Sequence, residues 1–403
     1  TDEVFDYIFL GIGDANKLSK DIKLSASIIN EMKTEFEYFY PVDFRNSGKD
    51  LIQNHLTFYL FHHTAIWPEE FWPKIISVNG FVNIEGEKMS KSKGNILPLR
   101  NLIEEHGSDL VRINIVASSE GIDDADWRAE HIKSYKGRIE YVYDLIKDLK
   151  KAKVKDVRNI DKYLISVINR QIEIVTQSYE HLRFRTAVQH ALFSTTNALK
   201  WYVKRCNGVK NANGKVLGDV LEKILGMLTP VAPHVAEEMH AALGGKGFAA
   251  LAEWPKFDKK MISDDAEESE EFITNILADF EQIKKIIKIK PKKIALFVAE
   301  DWKFDVYDYV MKNKGKPMNE ITKDIMSTKR YSDSTVAFIQ SLYKKKGELS
   351  AAVSREKQLE ILNEAKEFIE QEIECELEIV LAEKSEDKKA RSASPANPGM
   401  LVE

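Results

Sequence analysis

The sequence predicts a multidomain protein in which an α/β part is followed by a bundle of helices and then by a small α/β part. Three observations lead to this prediction. Residues 74–84 are a β-rich apolar run broken at Gly80, four segments with helical apolar spacing follow residue 127, and helices alternate with strands after residue 264. The predicted domains are 1–127, 128–263 and 264–382, with a flexible linker and tail over 383–403.

The first part is predicted to contain strands that lead into helices. Residues 39–44 form a strand, and a tight turn then opens a helix that extends to residue 60. The apolar run at 74–84 is typical of a strand buried in a parallel sheet. Two further elements are predicted, a helix at 99–106 and a run at 107–116 that is capped by its first residues and is helical or buried.

Residues 86–95, with the sequence GEKMSKSKGN, are the most informative segment of the chain. Three lysines, two serines and two glycines make a mobile, cationic loop that is able to bind a polyphosphate and release it. On composition alone, a solvated basic turn without function is an equal alternative. The strand before this lysine loop and the helix after it place it at the edge of an α/β core, which favours the phosphate-binding hypothesis.

The turn before residue 60 contains Gly48, Lys49 and Asp50. A P-loop is excluded here because a serine or threonine does not follow the lysine and the first glycine of that motif is absent. A carboxylate is better suited to accept hydrogen bonds from a ribose diol. The alternative for Asp50 is an acidic residue that satisfies free amides at a helix start.

Histidines and cysteines do not predict a metal site. His55, His62 and His63 fall on or near one helix, and a structural role is the favoured interpretation, with a contact to a bound ligand left open. His234 and His240 are six positions apart and point to different faces of a helix, so zinc is not expected. The only two cysteines, Cys206 and Cys375, have no zinc spacing and suit a reducing cytoplasm.

Three segments, SGKDLIQNH, HHTAIWPEEFWPK and VNGFVNIEGEKMSKSKGN, occur in an order and spacing that closely resemble the second half of the catalytic domain of leucyl-tRNA synthetases. These are class I enzymes, and the version resembled is the archaeal and eukaryotic cytosolic one. Methionyl enzymes carry a similar GKD turn and lysine loop. The flanking segments TDEVFDYIFLG and KIKPKKIALFVAEDWKFDV are similar to leucyl enzymes, so that the resemblance covers essentially the whole chain.

The resemblance implies activation of leucine by ATP, with Mg²⁺ accompanying the nucleotide, and transfer to the leucine tRNA. Lys88 and Lys91 would be catalytic, because lysines stabilise the charge that builds on the departing pyrophosphate. The implied ATP-binding residues are Gly48, Asp50, Phe81, Val82, Lys88, Met89, Ser90, Lys91 and Ser92. In this set the backbone at residues 81–82 accepts the adenine edge.

The family's other signature, HIGH or HxGH, is not found in these residues, nor is a segment like the large editing domain. The expectation is half an enzyme, either as a fragment or as one of two polypeptides, with an N-terminal half as partner. An accessory protein that binds tRNA without catalysis is the alternative from another class, and a class I synthetase for a different amino acid is a third interpretation.

The later parts are predicted to bind tRNA. The predicted helices of the bundle are 128–155, 161–180, 186–206 and 216–243, and the predicted elements of the last part are helices at 271–288, 318–326, 332–345 and 355–370 and strands at 293–299 and 374–382. The bundle resembles the anticodon-binding module of related synthetases. Its basic residues Lys200, Lys204, Arg205 and Lys210 contact either phosphate or water.

Positive charge concentrates in the last part, where the acidic run 264–271 marks a boundary. The candidate tRNA-binding residues are Lys288, Lys290, Lys292, Lys293, Val402 and Glu403. A net charge of −5 argues against general binding of nucleic acid over the whole surface, although the local distribution of charge matters more than the sum. No run is long enough for a membrane span, so a cytoplasmic protein without a membrane partner is expected.

Overall fold

The computed structural model describes residues 1–90, 92, 94–287, 291–327, 333–344, 349 and 352–402. It divides into two compact units. The first unit comprises residues 1–144, 172–194 and 223–255, and the second comprises 145–171, 195–222 and 256–403. The segment 128–263 therefore contributes to both units, and the predicted domain boundaries stay a prediction.

The elements up to residue 128 combine short strands with helices. In chain order they are α1 (Asp2–Leu10), α2 (Ala15–Asp21), α3 (Ala26–Phe39), β1 (Phe44–Gly48), α4 (Thr57–Ile66), β2 (Ile75–Asn79), β3 (Val82–Ile84), β4 (Glu87–Lys88), α5 (Leu99–His106), α6 (Ser108–Ser118) and β5 (Ala125–Trp127). Helices α1 to α3 pack around the fully buried Ile29, and Asp14 and Ser25 cap the second and third of them.

The strand predicted at 39–44 is wrong in position. Helix α3 extends to Phe39, and the strand is β1, which pairs in parallel with β2 from Phe44 opposite Ile75 to Gly48 opposite Asn79. The helix predicted to follow begins as a 3₁₀ turn at Lys49–Leu51 and a π turn at Ile52–Leu56, and α4 continues it to Ile66. Gly48 is thus the last residue of a strand.

The break predicted at Gly80 is confirmed, because it separates β2 from β3. A Cβ atom on Gly80 would lie 2.2 Å from the carbonyl oxygen of Asp123, so only glycine fits this junction. Strand β3 pairs in parallel with β5 and antiparallel with β4. The parallel pairing agrees with the prediction, but the strands are less buried than predicted, and Ile75 is 53% exposed.

The elements from residue 129 onward are mostly helical. They are α7 (Ala129–Asp148), α8 (Asn159–Glu180), α9 (Phe184–Val188), α10 (Thr195–Arg205), α11 (Gly214–Leu228), α12 (Pro233–Ala242), α13 (Asp264–Ile287), β6 (Lys293–Val298), α14 (Asp301–Lys312), α15 (Met318–Met326), α16 (Asp333–Lys344), α17 (Arg355–Ile373), β7 (Glu376–Leu381), α18 (Lys388–Ser392) and β8 (Gly399–Val402). The helix predicted over 216–243 is two helices, because Pro230 lies between α11 and α12 and Pro233 is the first residue of α12.

Strand β6 is the centre of a three-stranded sheet in the second unit. It pairs in parallel with β7 and antiparallel with β8. Helices α13 and α17 supply buried partners such as Phe280 and Ile369 to its core. The acidic run at 264–271 forms the first turns of α13, which agrees with the preference for acidic residues at helix starts.

The segment expected to be a flexible linker and tail is built into this core as far as residue 402. Helix α18 and strand β8 lie within it, and Ala390, Ala393 and Met400 are buried. Its polar composition suggested a linker, but several of its few apolar residues are buried in the core of the second unit.

Candidate functional site

A tight hairpin leads into the lysine loop. Ile84 pairs with Glu87 across β3 and β4, so the connection consists of Glu85 and Gly86 alone. Both have positive φ values, 49° and 82°, as a type I′ turn requires. The Gly86 N–H donates to Asp126 Oδ1 at 2.8 Å, and this bond is the main reason that the pKa of the Asp126 carboxyl is lowered. Gly86 therefore holds a fixed turn at the start of the loop.

One side chain closes the lysine loop. The amide oxygen of Asn95 accepts the Ser90 N–H at 2.8 Å, and its amide nitrogen donates to the Lys88 carbonyl oxygen at 3.1 Å. The hydroxyl groups of Ser90 and Ser92 are 2.8 Å apart and share a hydrogen bond. Lys88 is exposed, whereas Met89 and Ser90 are half-buried. Lys91 lies outside the described residues.

Phe81 brings the end of β1 and the lysine loop together. The ammonium of Lys49 is 5.2 Å from the centre of the Phe81 ring, and the ammonium of Lys88 is 4.7 Å from it. Lys49 also forms an ion pair with Asp124, with 2.5 Å between Nζ and Oδ1. Lys49 of the turn at residues 48–50 and the first lysine of the loop thus contact the same aromatic ring.

The backbone of Phe81 is already hydrogen-bonded within the fold. Its N–H donates to Asp124 Oδ1 at 2.8 Å, and its carbonyl oxygen accepts the Ala125 N–H at 2.8 Å. The hydrogen bond from Lys49, followed by that from Phe81, holds the pKa of the Asp124 carboxyl below its ordinary value. An adenine edge has only the second lone pair of the Phe81 carbonyl available. Val82 begins β3 beside it.

The Asp50 carboxylate is exposed, and no described residue donates a hydrogen bond or an ion pair to it. A Cβ atom at Gly48 would lie 2.6 Å from Asp50 Oδ1, so a side chain there would displace the carboxylate. The glycine therefore keeps the end of β1 open beside an unpaired carboxylate, which is the arrangement that a ribose diol needs.

The predicted structural role of the helix histidines is supported at His63. This residue is 4% exposed, and its ring nitrogens bond the Tyr40 hydroxyl at 2.9 Å and the Tyr59 carbonyl oxygen at 2.7 Å. His55 bonds a terminal guanidinium nitrogen of Arg45 at 2.6 Å. None of these contacts involves the lysine loop.

Several basic residues considered as RNA contacts form ion pairs inside the second unit. Arg205 is buried and bonds both carboxylate oxygens of Glu270, and Lys204 pairs with Glu372. Lys293 pairs with Glu378 at 2.8 Å, whereas Lys292 is exposed. Val402 lies in β8 opposite Ile294. Lys288, Lys290 and Glu403 lie outside the described residues.

Sequence reasoning gave no role to Lys49, Asn95, Asp124 and Asp126. Asn95 stands within the loop that the sequence singled out, and the two aspartates stand in the acidic segment at 123–126 that ends in β5. The concentration of carboxylates at 123–126 was the available signal, but nothing in it indicated which loop they would contact.

Other features of the described residues do not add to this site. They contain no group of three or more histidine, cysteine or acidic residues arranged for a metal ion, and no helix among them has the length and apolarity to span a membrane. A cavity of about 650 Å³ in the second unit is lined by residues such as Lys303 and Trp302 and by none of the predicted site residues. Lys303 donates there to the carbonyl oxygens of Arg391 and Ala393.

Two family models match the chain. Residues 23–128 match that of the class I tRNA synthetases (I, L, M and V), and residues 161–298 match that of the anticodon-binding domain of tRNA ligases. The chain therefore combines a segment that matches the class I tRNA synthetases with a segment that matches the anticodon-binding domain of tRNA ligases.

Within that class the chain is a homologue of the leucine–tRNA ligases. It is 39% identical over 415 residues to the leucine–tRNA ligase of Pyrococcus horikoshii and 37% identical over 407 residues to that of Methanocaldococcus jannaschii. Each alignment covers 100% of this chain, and the chain spans 42% of the relative's length. A crystal structure of the LeuRS–tRNA–LeuAMS complex of Agrobacterium radiobacter K84 aligns at 23% identity with a TM-score of 0.48, covering 55% of this chain and 29% of that one. The resemblance to leucyl enzymes is confirmed.

Proposed function

We propose that this chain forms part of a leucine–tRNA ligase, which activates leucine with ATP and transfers it to the leucine tRNA. The observation that carries the proposal is the similarity to leucine–tRNA ligases along the whole chain. The local geometry fits it, because Phe81 joins the glycine–lysine–aspartate turn to the lysine loop. In the proposed arrangement the chain supplies the second half of a Rossmann-like catalytic domain, a helical bundle and a small α/β domain.

The proposed roles follow from the chemistry of each group. Asp50 accepts hydrogen bonds from the ribose hydroxyls, and Gly48 lets the nucleotide approach the end of β1. The carbonyl groups at Phe81 and Val82 accept the adenine edge. Met89, Ser90 and Ser92 complete the loop around the phosphates, and magnesium accompanies the nucleotide.

Lys88 and Lys91 are proposed as the catalytic residues. The leucine carboxylate attacks the α-phosphorus, the bond to the bridging oxygen breaks, and negative charge collects on the departing pyrophosphate. Ammonium groups placed at this charge stabilise the transition state more than the ground state. Loss of one such contact raises the barrier by roughly 3 kcal/mol, about a hundredfold in rate.

The test is leucine-dependent exchange of labelled pyrophosphate into ATP, measured after this chain is combined with the preceding part of a leucine–tRNA ligase. Activity with leucine, and its absence with methionine or isoleucine, is expected. Lys91→Ala and Lys88→Ala should each reduce exchange about a hundredfold and leave tRNA affinity nearly unchanged.

Lys74→Ala provides a matched control, since Lys74 is an exposed lysine that pairs with Asp43 away from the loop. Its exchange rate should equal that of the parent. An unchanged rate in the Lys91 variant would refute the catalytic assignment, and exchange with another amino acid would refute the specificity.

The later segments are proposed to hold the tRNA, with Lys288, Lys290, Lys292, Lys293, Val402 and Glu403 among the contacts. Lys293 would first have to leave Glu378. A cytoplasmic location is proposed as well, and the free thiols of Cys206 and Cys375 suit a reducing compartment.

A further inference from the structure

Two short segments of the second unit contain lysines and no acidic residue. Residues 149–155 read LKKAKVK, and residues 209–215 read VKNANGK. The first follows the end of α7, and the second precedes the body of α11. Together they carry six of the chain's lysines, namely Lys150, Lys151, Lys153, Lys155, Lys210 and Lys215.

Backbone hydrogen bonds hold the two segments side by side. The Lys153 N–H donates to the Lys210 carbonyl oxygen at 3.2 Å, and the Val154 N–H donates to the Ala212 carbonyl oxygen at 3.2 Å. Val154 and Asn213 form a parallel β-bridge. In an extended segment alternate side chains point the same way, so Lys153 and Lys155 share the face opposite Val154. We name the surface formed by the six lysines the lysine surface.

The lysine surface rests on a buried support. The Asn213 side chain donates to the Lys155 carbonyl oxygen at 3.0 Å and accepts the N–H groups of Lys215 and Val216 at 3.1 Å. Asn213 is 1% exposed, and its own N–H donates to the hydroxyl of the buried Tyr202 at 2.9 Å. The backbone that carries the lysines is therefore fixed before any partner arrives, which lowers the entropy cost of binding.

The charge of this surface is largely uncompensated. All six lysines are exposed, and Lys151 pairs with Asp148 at 2.6 Å. The other five have no carboxylate within ion-pair distance among the described residues. Lys204 and Arg205 of the neighbouring helix α10, in contrast, are paired with glutamates. A chain with a net charge of −5 thus leaves a group of cations unpaired in one place.

We propose that the lysine surface binds the phosphate backbone of a structured RNA. This proposal rests on the proposed function and assigns part of its tRNA contact to six lysines, of which the sequence analysis considered Lys210 alone. Lysine ammonium groups neutralise phosphates without reading bases, so the contact positions the RNA and is independent of its sequence. Solvated lysines are the competing interpretation, and binding measurements distinguish the two.

The test compares the full chain with the variant Lys153→Glu, Lys155→Glu, Lys210→Glu in titrations with a leucine tRNA transcript and an unrelated tRNA at several salt concentrations. We expect the variant to bind both at least about tenfold more weakly. Each lost phosphate contact should also reduce the slope of log affinity against log salt by about 0.7–0.9.

A control variant has the same change in charge, Lys17→Glu, Lys20→Glu, Lys23→Glu, at exposed lysines of the first unit. It should retain most of the affinity and slope of the parent. Acetylation of the unmodified chain gives a second measurement that does not depend on the folding of a variant. Bound tRNA should protect Lys153, Lys155 and Lys210 and leave Lys17, Lys20 and Lys23 reactive.

The outcomes separate this inference from the proposed function. If the chain binds tRNA but its lysine surface is neither protected nor needed for affinity, the inference is overturned and the proposed function stands. If the chain binds no tRNA at any salt concentration, its proposed part in tRNA charging fails, and the inference fails with it. Protection by an acidic polypeptide and not by tRNA would assign the surface to a protein partner and overturn the RNA proposal.

Discussion

The side-chain amide of Asn95 connects two backbone positions of the lysine loop through its oxygen and its nitrogen. Its oxygen accepts from the Ser90 backbone and its nitrogen donates to the Lys88 backbone, so both residues beside Met89 have fixed main-chain positions. A lysine loop without this connection would sample more conformations before each reaction. We therefore propose that Asn95 is a positioning residue, which acts on Lys88 through the backbone.

Asn95→Ala removes both hydrogen bonds, each of which stabilises by about 0.5–1.5 kcal/mol. In a complete enzyme we expect the maximal rate of leucine-dependent pyrophosphate exchange to fall about tenfold if that energy is needed in the transition state. The measurement separates kcat from the KM for ATP. Affinity for tRNA should stay unchanged.

Asn95→Asp tests the two bonds separately, because a carboxylate still accepts from Ser90 but no longer donates to Lys88. Its rate should fall between the parent and the alanine variant. Asn101→Ala, at an exposed position of α5, serves as the control and should have the parent's rate. Equal rates in all four proteins would contradict a positioning role.

The junction between β2 and β3 depends on a backbone contact at Gly80. The carbonyl oxygen of Asp123 would lie 2.2 Å from a Cβ atom at this position. The residues after the junction are Phe81, which bonds Asp124, and strand β3, which leads into the hairpin. A side chain at this position would therefore move the lysine loop as well as the strands.

Gly80→Ala should lower the free energy of unfolding by about 1–3 kcal/mol, since overpacking forces backbone shifts of this cost. Gly137→Ala should raise it by about 0.5–1 kcal/mol, because Gly137 lies in helix α7 and an added Cβ meets nothing within 4 Å. Thermal unfolding of the two variants should shift in opposite directions from the parent. A shift in the same direction would contradict the contact at Gly80.

Strand β8 stabilises the sheet of the second unit and is more than a tail. Met400 is 8% exposed and belongs to the core around β6. A deletion of residues 400–403 would remove the edge strand together with any tRNA contact, so it cannot separate the two roles. Single substitutions are the better probe.

Met400→Ala should destabilise this core by about 2–5 kcal/mol, the usual cost for a buried methionine. Hydrogen exchange of the amides at 293–298 should become faster. Met261→Ala, at a residue that is 49% exposed, is the matched control and should leave this exchange unchanged. Slow exchange in the Met400 variant would mean that β8 contributes little to the sheet.

Local patterns predicted some elements fully and failed for others. Helices α5 and α15 have the predicted bounds, because their apolar spacing is a property of eight or nine consecutive residues. The strand at 39–44 was wrong because Tyr40 has high strand propensity but stacks on Phe36 and His63 at the end of a helix. Pairing with β2, which the sequence does not reveal, decides where β1 lies.

The site was predictable to the same extent. The lysine loop and the turn with Asp50 were recognisable from their residues, but the contacts that join them connect Phe81 to Lys49 and Asp124, which are distant in sequence. Charge alone left open whether Lys204 and Arg205 contact phosphate or water, and the structure pairs them with Glu372 and Glu270. Partners remote in the chain decide whether a basic residue is available.

On the scale of the whole molecule, exposed apolar side chains are distributed unevenly. Of the 28 large hydrophobic residues that are exposed in the described part of the chain, 17 belong to the first 75 residues, all in the first unit. Phe58 and Phe61 on α4 are 62% and 68% exposed and lie three positions apart on one helix face. Since the chain spans 42% of its relatives' length, we propose that the rest of a complete ligase covers this surface.

The double variant Phe58→Ser, Phe61→Ser should weaken the association of this chain with the preceding part of a leucine–tRNA ligase by at least about tenfold, because burial of a phenylalanine side chain contributes about 1.5–3 kcal/mol. Calorimetric titration measures the association, and a hydrophobic dye should bind the double variant less than the parent. Phe248→Ser, Leu251→Ser is the control, with side chains that are 66% and 82% exposed elsewhere in the first unit. Pyrophosphate exchange requires the association of the two parts, so in the double variant it should fall with the same concentration dependence as that association. It should recover at high concentrations of the preceding part. Exchange that stays low at saturation would instead place these phenylalanines in the reaction itself.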